Sequence, residues 1–275
     1  SQYDGDLDGN VDAVVFIRSG TGEEDTRDPN DIWSYAYSYP LGYGPGPYDG
    51  VRIPRWNTSP ELRPLRNPLM SINFTGLDSL NRIRVFTHEI GHSLGLNDLY
   101  DYDDKLVTST YYTQNDNNDH PLVDWCVMGY AGYGLLSIRS QTPSHFCGWS
   151  KMQMGWIEPN ELIGEYTDLV IYDIETHDAN SLFKIPIDPY EGEYFLLEYR
   201  NPSSTGIFDK TDSDFSVYFW PDLTFGCDTL DRGLLITHVN DSVDLVTSWR
   251  INAGTPDNSN YMVRVMIILQ IPKVE

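Results

Sequence analysis

The segment from His88 to Asp101 reads HEIGHSLGLNDLYD. On a helix with 3.6 residues per turn, His88 and His92 lie on the same face. Glu89 directly follows the first histidine, and Gly95 is placed to end the helix in a left-handed conformation. Two imidazoles can hold one zinc ion beside a carboxylate that acts as general base, and H-E-x-x-H is typical of zinc-dependent peptidases. The segment therefore predicts an active-site helix that binds zinc.

We expect this motif to end an amphipathic helix. Asp78 or Ser79 can cap the start of the helix with a side-chain oxygen. Apolar residues then recur at helical spacing and predict one buried face. The residues of this face are Leu80, Ile83, Phe86, Ile90 and Leu94.

The third protein ligand separates the classes of zinc peptidase, because a catalytic zinc needs three ligands and one open position. One class uses a glutamate on a second helix downstream, but this chain has no glutamate between Glu89 and Glu158. In the metzincin class the chain turns at a glycine and supplies the ligand six residues after the second histidine. Aspartate occupies that position here, where the metzincin pattern has histidine. The expected zinc ligands are His88, His92 and Asp98. Asp101 stays open as the alternative third ligand.

A methionine turn is expected downstream, at residues 127–129, which read VMG. Met128 by itself is a weak signal, since a methionine in an apolar turn usually only packs. Tyr130 follows this turn and is either a group that stabilises an oxyanion or one of 19 tyrosines; we favour the second interpretation. The remaining histidines lack ligand spacing and are expected to be structural. They are His120, His145, His177 and His238.

The beginning of the chain predicts a calcium site. Residues 3–12 read YDGDLDGNVD, so aspartates alternate with other residues and Gly9 allows a sharp turn. A standard EF-hand loop would end in glutamate, but that position is Val15. We therefore expect an abbreviated site, with a solvated acidic turn as the alternative. Its expected ligands are Asp4, Asp6, Asp8, Asn10 and Asp12.

The net charge makes some classes of binding partner unfavourable, whereas the cysteine content does not decide the cellular compartment. With 41 acidic and 18 basic residues, the formal net charge is −23, so nucleic acid and anionic membranes are unfavourable partners. No stretch has the apolar length of a membrane span. Three cysteines cannot all pair, and a bridge between Cys126 and Cys147 would require an oxidising compartment.

The two halves of the sequence differ in character. Residues 11–18 predict a buried strand, and residues 144–154 predict a second helix capped by Thr142. Beyond Gly164 the chain is rich in strand patterns. These predicted strands are 169–174, 182–187, 194–199, 234–239 and 261–271. We expect a mixed α/β (α+β) fold, with a zincin- or metzincin-like catalytic domain at 1–160 and a β-rich extension at 161–275 packed on it.

Three segments resemble the secreted zinc metallopeptidases of the immune inhibitor A type. They are HEIGHSLGLNDLYD at 88–101, VMG at 127–129 and DGDLDGNVDAVVFIRSG at 4–20. Weaker similarities follow in the same order along the chain: GWSKMQMGW at 148–156, YFLLEYRNP at 194–202 and GLLITHVND at 233–241.

The resemblance implies a secreted zinc endopeptidase that often contains structural calcium and is made with an inhibitory propeptide, which we expect to lie outside this chain. It implies zinc binding by His88, His92 and Asp98, with Glu89 as the base that deprotonates a metal-activated water. We expect a monomer that acts on proteins or peptides. The alternatives are a zinc exopeptidase and an inactive binding or adhesion protein on a protease scaffold. The intact Glu89 argues against the inactive protein.

Overall fold

A computed structural model describes residues 2–40, 42–66, 74–99, 122, 126–129, 143–175, 179–188, 192–200, 233–240 and 263–270, without the side chains of 65, 66, 74–78, 188 and 263–270. The chain divides into two compact units, residues 1–96 and 97–275. The described part contains short helices and several small sheets, which confirms the mixed α/β class. The finer metzincin arrangement stays a prediction.

Two small sheets form the strand framework of the first unit. β1 (Val15–Arg18), β2 (Tyr35–Ser38) and β3 (Arg55–Pro60) have the order β1-β3-β2, with β1 parallel and β2 antiparallel to β3. β4 (Leu62–Arg66) pairs with β5 (Phe74–Leu80) in an antiparallel ribbon. A single-turn helix, α1 (Glu23–Thr26), lies between β1 and β2 in sequence.

The strand predicted at 11–18 is shorter and more exposed than expected. Only Val15–Arg18 is strand, and Val15, Phe16 and Ile17 are each at least 36% exposed. β1 is an edge strand of a three-stranded sheet, so it pairs along one side only. The apolar composition of the segment predicted its strand conformation correctly and its burial wrongly.

The motif helix, α2, spans Ile83–Ser93 and begins later than predicted. Asp78 and Ser79 belong to β5 and cannot cap it; the residue at the N-cap is Arg82, which makes no side-chain cap hydrogen bond.

The predicted apolar face of α2 is also wrong, since Leu80 is 78% and Ile83 is 56% exposed. The buried residues of α2 are Arg84, His88, Glu89, Gly91 and Ser93. Contacts with β3 explain this orientation. The amide of Asn57 donates to Ser93 Oγ at 2.7 Å, and Arg55 Nη1 donates to the Ser93 carbonyl at 2.6 Å. These hydrogen bonds turn the polar side of α2 towards the sheet.

A five-stranded sheet dominates the described part of the second unit. Its order is β10-β9-β8-β7-β6, and its neighbouring strands are antiparallel except β6 and β7. The bounds are β6 (Asn160–Glu161), β7 (Leu182–Asp188), β8 (Glu193–Arg200), β9 (Gly233–Asn240) and β10 (Val263–Gln270). Burial alternates along β8 and β9, as expected for strands with one covered face. Four of the predicted strands are confirmed, but at 169–174 only Asp173 makes an isolated bridge, to Tyr199.

The second predicted helix is shorter than expected. α3 spans Gly148–Gln153 and begins at the N-cap residue Cys147; the expected cap, Thr142, lies outside the described residues. α3 packs on β8, where the Gly148 amide donates to the Glu198 carboxylate. This contact links α3 to the five-stranded sheet within the second compact unit. The assignment of 1–160 and 161–275 as functional domains stays a prediction. Among the described residues, no helix is long and apolar enough to cross a membrane.

Candidate metal centre

Gly95 ends α2 in a left-handed conformation, as predicted. Gly95 has a φ of +100°, its amide donates to the His92 carbonyl at 2.9 Å, and the Leu96 amide donates to the Gly91 carbonyl at 3.0 Å. This pair of hydrogen bonds is the Schellman arrangement, in which a left-handed residue reverses the chain and satisfies the last helical carbonyls. The reversal brings the residues after Gly95 back beside the histidines.

Three potential ligands meet at this reversal. The ligand atoms of His88, His92 and Asp98 all lie within 4.8 Å of one another. The two imidazole rings are nearly perpendicular, at 87°, with centroids 4.8 Å apart. Two ring nitrogens and one carboxylate oxygen are an ordinary zinc ligand set, so the donor chemistry fits a zinc ion. Asp101, the alternative ligand, lies outside the described residues.

The orientation of His92 is determined by the backbone. Its Nδ1 lies 2.8 Å from the Leu96 carbonyl oxygen, which accepts a hydrogen bond. Nδ1 must therefore carry the proton, and the lone pair of the neutral ring is on Nε2. A hydrogen bond of this kind fixes the tautomer and direction of a metal-binding histidine. The sequence offered no signal for it, because the acceptor is a backbone atom of a residue with an apolar side chain.

Glu89 is buried next to the first histidine. His88 is 7% and Glu89 is 6% exposed. The Oε2 atom of Glu89 and the Oδ1 atom of Asp98 are both fully buried. Ionised carboxylates are costly to bury unless cations or hydrogen-bond donors compensate their charge. A divalent cation at this cluster would supply such compensation.

The predicted methionine turn lies against the chain that follows Asp98. The Gly129 amide donates to the Cys126 carbonyl at 2.8 Å, which closes a tight turn, and Met128 is fully buried. The Met128 carbonyl accepts a hydrogen bond from the Leu99 amide at 2.8 Å. The turn is confirmed as a local structure. Tyr130 lies outside the described residues.

The other histidines that the structure describes have acidic partners. His145 Nε2 lies 2.7 Å from Glu175 Oε1, and His238 Nε2 lies 3.9 Å from Glu193 Oε2. These pairings agree with the structural role predicted for both histidines. His120 and His177 lie outside the described residues.

The acidic loop brings together three of its five predicted calcium ligands. Carboxylate oxygens of Asp4, Asp6 and Asp8 lie within 4.8 Å of one another. Asp12 is not part of this group of three; its Oδ2 accepts a hydrogen bond at 3.0 Å from the amide of Gly5, which lies in the same loop. Hydrogen bonds from the side chain and backbone amide of Asn10 lower the pKa of Asp8. The backbone amides of Asp8 and Gly9 donate to the Asp4 carboxylate, so hydrogen bonds within the loop orient its acidic side chains.

No family model, curated protein or solved structure matches this chain. The resemblance to the immune inhibitor A type therefore stays a prediction.

Proposed function

We propose that this protein is a zinc-dependent endopeptidase of the immune inhibitor A type, with a metzincin-like catalytic region. The observation that carries the proposal is the cluster of His88, His92 and Asp98 at the Schellman end of α2. Glu89, which is also buried, directly follows His88 in this helix. The motif resemblance also supports secretion and action on proteins or peptides as a monomer.

The proposed zinc ligands are the Nε2 atom of His92, a ring nitrogen of His88 and a carboxylate oxygen of Asp98. Zinc, when bound, supplies Lewis acidity that polarises a carbonyl group and lowers the pKa of water. The hydrogen bond from His92 to the Leu96 carbonyl fixes the direction of the ring and leaves Nε2 as its ligand atom. The buried Met128 turn holds the backbone at Leu99, immediately after the third ligand.

Glu89 is the proposed general base. Its position next to His88 in α2 places a carboxylate beside the ligand cluster. It takes a proton from the attacking water and then gives that proton to the leaving amine of the peptide. A positioned acid–base group of this kind accelerates a reaction by about 10²–10⁴-fold.

We also propose that the acidic loop binds calcium as a structural ion. Asp4, Asp6 and Asp8 supply the carboxylates that calcium prefers, and Gly9, at φ +84°, permits the sharp turn directly after them. The loop leads into β1, so an ion here would stabilise the entry to the first sheet.

The endopeptidase proposal is tested with a denatured protein substrate and the purified full chain. We expect cleavage to yield internal fragments, to stop with a zinc chelator and to return when zinc is added. Glu89→Gln should retain zinc, measured by elemental analysis, and should lose activity by about 10²–10⁴-fold.

Three results would contradict the proposal. If Glu89→Gln cleaves as fast as the wild type with zinc bound, Glu89 is not the base. If only terminal residues are released, the protein is an exopeptidase. Wild-type chain that contains zinc and cleaves no substrate would favour the inactive binding protein.

A further inference from the structure

We propose that the buried thiols of Cys126 and Cys147 are a dithiol site that closes to a disulfide by exchange with a low-molecular-weight disulfide. The bridge joins the turn that carries Met128 to the start of α3. This proposal stands on the second unit alone and does not depend on the peptidase activity.

The two cysteines are adjacent in the core. Both side chains are buried, and the Cys147 amide donates to Cys126 Sγ at 3.3 Å. Because an N–Cα bond is about 1.46 Å long, Cys126 Sγ lies within about 4.8 Å of the Cys147 Cα. A disulfide likewise requires the sulfur of one cysteine to lie close to the backbone of the other, so this proximity suits a bridge.

A third side chain lies against both thiols. Ser150 Oγ is 3.7 Å from Cys126 Sγ and 3.5 Å from Cys147 Sγ. Ser150 belongs to the first turn of α3, and Cys147 is the N-cap residue of that helix. The thiols are therefore held in a polar environment at a helix start, within an otherwise apolar core.

The two thiols differ in acidity. Burial by itself would raise the pKa of Cys126, but hydrogen bonds from the Cys147 side chain, the backbone amides of Cys147 and Met128, and Ser150 lower it overall. Burial raises the pKa of Cys147, and the neighbouring Cys126 raises it further. Cys126 is therefore the nucleophile of the pair, since the thiolate is the reactive form.

The exchange takes place in two steps. The Cys126 thiolate attacks one sulfur of glutathione disulfide, forms a mixed disulfide and releases one glutathione thiolate. Cys147 then loses its proton and attacks Cys126 Sγ, which forms the bridge and expels the second glutathione thiolate. Two protein thiols are oxidised, the incoming disulfide is reduced to two thiols, and the protein protons pass to the released thiolates. Because both cysteines are buried, the exchange requires a local opening of the folded chain that admits the small disulfide to Cys126.

The bridge would constrain the segment between the two cysteines. This segment starts with the turn at 127–129, whose Met128 carbonyl accepts the hydrogen bond from Leu99. A disulfide stabilises chiefly by restricting the unfolded chain. For a loop of this length in a chain of this size, we expect the melting temperature to rise by roughly 5–10 °C.

The test uses the full chain with Cys227→Ser, so that Cys126 and Cys147 are its remaining cysteines. The protein is folded and equilibrated in a buffer with excess glutathione disulfide, then denatured and alkylated. We expect the mass of the intact protein to show that neither cysteine is alkylated. Peptide mapping should find a disulfide-linked pair of peptides that contains both cysteines. Prior reduction should allow alkylation at both sites and lower the melting temperature.

The single variants Cys126→Ser and Cys147→Ser, in the same background, are the matched controls. In each variant, the one remaining cysteine should be either alkylated or bound to one glutathione. Apart from the effect of removing that glutathione, reductant should leave the melting temperature of the variant unchanged. The proposal is overturned if both thiols of the Cys227→Ser chain stay free in excess glutathione disulfide. It is equally overturned if peptide mapping of the wild type links Cys227 to either cysteine. Because the linkage is read directly, poor folding of a single variant does not affect this test.

Discussion

At the scale of single residues, His92 shows how the backbone prepares a side chain for metal binding. Its Nδ1 bonds to the Leu96 carbonyl, and that carbonyl is in place only because Gly95 reverses the chain after α2. Asp98 reaches the histidine pair through the same reversal. The proposed ligand set therefore depends on one left-handed glycine as much as on its own chemistry.

Asp98 is expected to be the third zinc ligand. Asp98→Asn replaces the carboxylate with a neutral amide of the same size, and we expect the zinc affinity to fall by more than roughly 100-fold. Substitution of residues that only hydrogen-bond to metal ligands already lowers metal affinity by about 10–100-fold, so loss of a ligand should cost more. Asp101→Asn is the matched control and should leave the affinity close to that of the wild type. Competition with a chromogenic chelator measures both. A large loss in Asp101→Asn with little change in Asp98→Asn would assign the third ligand to Asp101.

At the scale of elements, the end of α2 tests the role of backbone conformation. A Cβ atom at residue 95 would meet nothing closer than Arg55 Nη1 at 3.9 Å, so space is available for a larger residue. The φ of +100° is nevertheless unfavourable for residues other than glycine. Strain and steric overlap can therefore be separated at this position.

Gly95→Ala should lower the free energy of unfolding by about 1–2 kcal/mol, because alanine is strained in a left-handed conformation. Gly95→Asn should cost less, since asparagine tolerates this conformation better. Urea denaturation followed by circular dichroism measures both variants. Equal stability of Gly95→Ala and the wild type would show that the helix end adopts another conformation.

At the start of α3, by contrast, close packing leaves no space for a side chain at residue 148. A Cβ atom at residue 148 would lie 2.5 Å from Glu198 Oε2 and 2.6 Å from Leu182 Cδ1. Glu198 is itself 2% exposed and pairs with the fully buried Arg200 at 2.6 Å, so it has little room to move.

Gly148→Ala should therefore destabilise the protein by about 1–3 kcal/mol, as overpacking of a core does. Gln153→Ala, at an exposed position of the same helix, is the control and should be neutral or slightly stabilising because alanine favours helix. Thermal denaturation compares the two variants. A stable Gly148→Ala would mean that α3 does not pack this closely on β8.

At the scale of the whole molecule, the net charge of −23 affects any test of cation binding. Repulsion among so many carboxylates opposes the compact state, and any salt screens it. A specific calcium effect must therefore exceed the effect of a simple electrolyte at the same ionic strength. The acidic loop, with three carboxylates within 4.8 Å, is the place where a specific ion would bind.

Calcium is expected to raise the melting temperature by several degrees, because a ligand at about 100 times its Kd stabilises the folded state by about 2.7 kcal/mol. Sodium chloride at equal ionic strength should give a smaller shift. Asp6→Ala should remove the calcium-specific part, whereas Asp168→Ala, at an exposed residue outside the loop, should not. Scanning calorimetry provides the measurement. An unchanged calcium shift in Asp6→Ala would rule out the loop as the site.

The structure departs from the sequence-based predictions where long-range contacts outweigh local patterns. Asp78 and Ser79 have the chemistry of helix caps, but pairing with β4 places them in a strand. The apolar side of α2 was predicted to be buried, yet hydrogen bonds from Arg55 and Asn57 direct its polar side inward. Helical periodicity identifies faces of a helix, but it cannot decide which face a distant strand will cover.

The sequence by itself determined the features that depend on local geometry. The spacing of His88 and His92 places them on one face, and Gly95 ends the helix, because both follow from the helical repeat and from backbone sterics. Four strands of the second half and the turn at Met128 were also readable from local patterns. The same local reversal brings Asp98 to the histidines. Only the tertiary structure brought Met128 to Leu99 and Cys126 to Cys147. These approaches depend on how the chain returns on itself, which is decided by the sum of many distant contacts.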